Sequence, residues 1–256
     1  FIVCTGTDGD SYAFELHDAA ARSFTTVSDP EMPSCMASGV GLPNGAGFVS
    51  IIRQPVANER QAAMVFDGLV GALVRVTPSA DRSRRWRIEP LLSVDDYSAV
   101  RIAEPSVGGV MDQFAVQVKD LSGAYGTLVF DLDEVARGGD VVPRKVPSAG
   151  LPLDEVAIAR DGRRLIWRAP DQPRLEVWVS PTLDSVPRRL IAGSTDWRVV
   201  DWIADTLWVE RGRVGEAEDG SLEVGYVLES APTEFMAITS NDWNDLGLQV
   251  SPDASR

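Results

Sequence analysis

Three short stretches set carboxylates beside aromatic rings at repeating places in the chain. Ser194-Thr195-Asp196-Trp197 and Ser240-Asn241-Asp242-Trp243 are near copies, and Ser93-Val94-Asp95-Asp96-Tyr97 is a looser one. Ser28-Asp29 and Asp154-Glu155 occupy corresponding positions. Such a set suits a hydrated cation, a basic peptide or a sugar, and Ca2+ in particular takes several carboxylate and carbonyl oxygens in flexible geometry. The pattern also has a purely structural explanation. Each Asp can cap its own turn through its side chain, and each Trp or Tyr can pack between neighbouring sheets. Because the motif recurs with the strands themselves, the structural explanation weighs more.

Asp201 differs from these. It stands inside the apolar run Val199-Val200-Asp201-Trp202-Ile203. A carboxylate there must face open space or be paired, since burying it alone is costly. Gln249 and Arg101 sit in similar runs. The candidate binding residues are therefore Asp96, Asp154, Asp196, Trp197, Asp201, Asp242 and Trp243. No cofactor is expected, with Ca2+ as the ion these acidic links would suit.

Nothing in the chain reads as a catalytic set. His17 is the sole histidine, so a multi-histidine zinc site is excluded, and no nucleophile motif accompanies it. Gly108-Gly109 and Gly138-Gly139 lack the lysine and following helix of a phosphate loop. Arg82, Arg84, Arg85 and Arg87 cluster around Trp86. That cluster could contact an acidic partner, or simply form a solvated loop on a very acidic surface. Cys4 and Cys35 are the only cysteines and lack a Cys-x-x-Cys spacing. They are a disulfide candidate for an oxidising compartment, or two buried thiols.

The formal charge of −14 over 256 residues argues against a nucleic-acid partner. No apolar run approaches the ~20 residues of a membrane span. The chain opens on Phe1, which we read as a trimmed start behind a removed export signal or anchor.

The elements that must position these residues are strands. Helical periodicity is confined to His17–Arg22 and Asp131–Arg137, each good for about one turn. Elsewhere short apolar runs alternate with turn signals such as Pro43-Asn44-Gly45, Arg160-Asp161-Gly162 and Glu218-Asp219-Gly220. The clearest unit has strands Glu155–Ala159, Arg164–Arg168, Leu175–Val179 and Pro187–Ile191. With Ala159-Arg160-Asp161-Gly162-Arg163-Arg164 as its turn and Arg188-Arg189-Leu190-Ile191 as its end, this unit resembles the TolB-like, or WD-like, propeller repeat. Ser251-Pro252-Asp253 is the best copy of the family turn.

On that template the chain reads as one all-β domain, 1–256, a β-propeller of about five four-stranded antiparallel blades at a spacing of roughly 40–60 residues. The blades run over 246–256 plus 1–30, 35–80, 96–148, 152–194 and 197–242. Within 35–80 the strands read as Met36–Gly41, Phe48–Ile52, Ala62–Asp67 and Ala72–Thr77. Leu246–Val250 and Phe1–Thr7 would share a sheet and close the ring, hiding the sheet edges. The alternative is a piece of a larger propeller. The resemblance implies a bacterial extracytoplasmic protein, periplasmic, secreted or surface-anchored, that presents its channel mouth to a protein partner. Two other readings remain. One is a five-bladed glycoside hydrolase using Asp201, Asp154 and Asp96, which would need two carboxylates in one open pocket. The other is a lectin-like sugar binder.

Overall fold

The computed structural model describes residues 2–7, 11–18, 23–27, 39–65, 68–80, 86–102, 104–105, 112–147, 154–159, 165–169, 176–182, 184–191, 197–212, 222–239 and 248. They form five sheets, antiparallel apart from one short parallel pair. The first holds β1 (Ile2–Thr7), β2 (Ser11–Asp18) and β3 (Ser23–Val27). The second holds β4 (Val40–Gly41), β5 (Phe48–Pro55), β6 (Leu69–Pro78) and β7 (Trp86–Pro90). Then comes β8 (Tyr97–Ile102), followed by the two-residue β9 (Glu104–Pro105). The third sheet pairs β8 with β10 (Gln113–Asp120), β11 (Tyr125–Asp131) and β12 (Arg144–Val146).

The fourth sheet contains β13 (Asp154–Ile158), β14 (Leu165–Ala169), β15 (Glu176–Ser180) and β16 (Arg188–Ile191). The last contains β17 (Trp197–Ile203), β18 (Thr206–Gly212), β19 (Leu222–Leu228) and β20 (Ala231–Ala237). β9 adds to the fourth sheet by parallel pairing of Ala157 with Glu104 and Ile158 with Pro105. Helix is confined to α1 (Glu59–Ala62), α2 (Leu132–Arg137) and two 3-10 turns among the described residues. Of the turn of helix expected at His17–Arg22, His17 and Asp18 belong to β2 and the other residues lie outside the described ones.

The residues group into two compact units, Phe1–Ile102 with Val116–Lys145, and Ala103–Ala115 with Val146–Arg256. In the first, β5 and β6 are buried along most of their length. Phe48, Ile52, Ala72, Val74 and Val76 fill one face, with Trp86 and Ile88 of β7 packed on them. Val49, Ile51 and Leu73, on the other face, are buried too. A strand covered on both sides reads as an unbroken apolar run rather than an alternation, which is why Phe48–Ile52 and Leu69–Val74 look as they do. In the second unit Ala159, Val179, Leu190, Ile191, Trp202, Leu207, Val209 and Val227 form the core.

The Asn-Gly turn behaves as its chemistry dictates: Asn44 and Gly45 take φ of +57° and +68°, the left-handed region these residues tolerate. The strand expected at Ala62–Asp67 does not form over its described residues, Ala62–Val65: Asn58 caps α1 by accepting from Gln61 N at 2.8 Å, and the helix runs to Ala62. The sheet instead gains Trp86–Pro90 as its fourth strand. The ring-closing segment 246–256, apart from Leu248, lies outside the described residues, as do turns 160–164 and 213–221.

Candidate functional site

The Ser93–Tyr97 link is described in full. Val94–Asp96 form a 3-10 turn, and the side chain that caps it is Ser93, whose hydroxyl accepts from Asp95 N at 3.4 Å. Asp95 and Asp96 are exposed. The aromatic member is structural: Tyr97 is 3% exposed and its hydroxyl accepts from Leu73 N at 3.4 Å. Burial pushes the phenol up to about 12; the Leu73 amide opposes this and the Asp96 charge adds to it. Gln61 of α1 anchors the link from the other side. Fully buried, it donates from Nε2 to Val94 O and Tyr97 O and accepts at Oε1 from Ala57 N at 2.7 Å.

In the second unit Asp201 is 2% exposed and accepts from its neighbour's backbone, Trp202 N, at 2.8 Å. A register shift between Val199 and Asp201 places Asp201 opposite Trp208, and Trp202 opposite Leu207. Directly opposed residues share a face, so Trp202 enters the core while Asp201 turns to the Trp208 side. Glu210, two residues along, lies on that same side. It is 1% exposed and accepts from Leu248 N at 2.9 Å. β18 thus carries a buried acidic residue on the same side of the sheet as Asp201 that the sequence reading did not single out. Its signal was a charge inside the run Leu207-Trp208-Val209-Glu210.

Asp154 and Trp197 lie at the starts of β13 and β17, paired with Arg168 and Arg211. Asp196, Asp242, Trp243, Gln249 and Cys35 lie outside the described residues, and of Cys4 the backbone alone is described, in β1. Arg101 is exposed on β8. Among the described residues no three His, Cys, Asp or Glu side chains gather so as to hold a metal ion, and no helix is long and apolar enough to cross a membrane.

Comparison with solved structures bears on the class of these sheets. A protein assigned as TolB from Agrobacterium tumefaciens matches with a TM-score of 0.52 at 12% identity, over 89% of this chain and 73% of that one. The fold is a TolB-like β-propeller. A prolyl endopeptidase matches this propeller with a TM-score of 0.55 at 13% identity, over 95% of this chain and 35% of that one. TolB from Acinetobacter baumannii gives 0.49 at 10% identity, over 85% and 51%. Likeness at these identities is one of fold. No protein-family model matches the sequence, and no curated protein does.

The basic cluster of the sequence is divided in the propeller. Arg82, Arg84 and Arg85 lie outside the described residues, whereas Arg87 is on β7 and pairs with Glu89 at 2.6 Å. Glu89 in turn holds Arg75 of β6 at 2.7 Å. These three residues border a cleft that the sequence reading missed. Its sequence signal was an arginine in the otherwise apolar run Ala72-Leu73-Val74-Arg75-Val76.

Proposed function

We propose that this propeller is a non-catalytic binding module that presents its acidic inter-sheet links to a basic segment of a protein partner outside the cytoplasm. The observation that carries the reading is the fate of Asp201. The residue is 2% exposed and Oδ1 of its carboxylate accepts from the backbone of the next residue, so it is not placed as an acid or base open to substrate. The acidic residues that reach solvent, Asp95 and Asp96, sit in a chain of net charge −14, and such a surface attracts cationic segments. The extracytoplasmic compartment follows from the resemblance of the repeat.

The test is a titration of fluorescently labelled lysine-rich and glutamate-rich peptides at low ionic strength. We expect saturable binding of the basic peptide alone, weakened about threefold or more in an Asp95→Asn/Asp96→Asn variant, each lost charge being a screened surface term. Equal binding of both peptides, or no effect of the variant, would sink this reading.

A second reading draws on the placement of Asp201 and Glu210 on one side of β17–β18: two carboxylates are the minimum set for glycoside hydrolysis. Release of chromophore from aryl glycosides by the wild type, abolished in both Asp201→Asn and Glu210→Gln, would favour it over the binding module.

A further inference from the structure

One face of the β6–β7 pair is built for an anion. Both strands alternate there: Val74 and Val76 of β6, with Trp86 and Ile88 of β7, point into the core. The intervening residues Arg75 and Thr77 lie opposite Glu89 and Arg87 on the other face. α2 brings the remaining wall. Leu132 and Val135 are the buried residues of the helix, Asp131 caps it by accepting from Glu134 N at 2.9 Å, and its last residue is Arg137. Between strand face and helix end lies a cleft of about 380 Å3, lined by Arg75, Thr77, Arg87, Glu89, Arg137 and Gly138 among others. That volume is at the small end of ligand sites.

Its charge is opposite to that of the molecule. Three arginines face one glutamate, an excess of two positive charges in a protein of net charge −14. Arg75 is 5% exposed, and an arginine is buried so deeply only when paired. Nε and Nη2 donate to Glu89 Oε2 at 3.2 and 2.7 Å, and Nη1 donates to Val135 O at 2.7 Å. Each Nη keeps a second N–H, since a guanidinium carries five donors. Arg87 holds the other oxygen of Glu89. Arg137 engages Asp133 O through Nε at 3.3 Å, and its Nη groups donate to no other described residue. Gly138 keeps the guanidinium accessible: at φ +85°, a Cβ there would stand 3.3 Å from Arg75 Nη1.

We infer that this cleft is a binding site for a small oxyanion ligand, one bearing carboxylate or phosphate oxygens. Planar arginine forks match both groups in bidentate geometry. Arg75, fixed by Glu89 and Val135, is the preorganised floor, and Arg87 and Arg137 are the two arms that close on the anion.

The test is isothermal titration of the whole chain with succinate and with inorganic phosphate at low ionic strength. Wild type should bind at least one of them saturably, with a dissociation constant of about 1 mM or below. Arg87→Gln/Arg137→Gln removes two exposed charges without touching the core, and should weaken that binding about tenfold or more while circular dichroism stays unchanged. Preference for phosphate or for succinate assigns the ligand's anionic group. Absence of saturable binding to either, or an affinity unchanged in the double variant, overturns the assignment.

Discussion

Gln61 is the residue on which the Ser93–Tyr97 link depends, because one buried amide serves three backbone groups. Gln61→Leu keeps the volume and leaves Ala57 N, Val94 O and Tyr97 O without this partner. Loss of about 2–4 kcal/mol is expected, given about 1–3 kcal/mol for each buried group left unsatisfied and partial relaxation, read from the urea midpoint. Tyr97 gives a pH signature. Its folded-state pKa, about 12, lies above the ordinary value of 10, so its contribution is fully present below pH 10 and is lost as pH rises towards 12. Stability should fall over that window by a component missing in Tyr97→Phe. Asp120 gives the acid counterpart. The Ser122 hydroxyl, then the Ala124 and Ser122 amides, hold its carboxyl below the ordinary 3.8. Its contribution is present above that value and lost as pH falls through the lower folded value; Asp120→Asn should remove this component of the acid dependence. At this scale the reading of Tyr97 as packing was legible, since a buried ring needs its hydroxyl satisfied. The Gln61 clamp was not, because two of its three partners, Val94 O and Tyr97 O, lie more than thirty positions away.

The strands of the second unit follow their sequence pattern most closely, and Trp202 shows why. It is fully buried in the core formed with Leu207, Val209 and Val179. Trp202→Ala should cost about 3–5 kcal/mol, seen as an early thermal transition by near-ultraviolet circular dichroism. The bulge before Asp201 sets Val199 opposite Val209 and Trp202 opposite Leu207, so two positions three apart on β17 both meet the core face of β18. The second sheet was harder to read. Ala62-Ala63-Met64-Val65-Phe66 is apolar enough for a strand, and a short apolar run does not distinguish strand from helix. The Asn58 cap settles it locally. Gly138→Ala would meet a φ of +85° and the Arg75 guanidinium, and about 1–2 kcal/mol of destabilisation is expected from the backbone alone.

At the scale of the molecule, charge dominates. With −14 net, the folded chain repels itself. Raising NaCl from about 10 to about 150 mM shortens the Debye length from about 30 to about 8 Å. The thermal midpoint should rise by about 2–4 °C, corresponding to about 1 kcal/mol. A midpoint that falls with salt would mean that attractive ion pairs outweigh the repulsion. The positive cleft stands out against this background, and binding of a small anion there should weaken as salt rises.

Short apolar runs and turn chemistry determine the strands, and a repeating strand-turn unit determines the propeller class; both are properties of neighbours along the chain, which a sequence carries openly. The pairing of Arg75 with Glu89, the arrival of Arg137 beside them, and the burial of Asp201 and Glu210 on one side of a sheet are decided by tertiary structure. Each joins residues brought together by register or by an intervening helix. The charge of a side chain is written in the sequence, but whether it is solvated, bonded to backbone or poised over a cleft depends on what the fold sets against it.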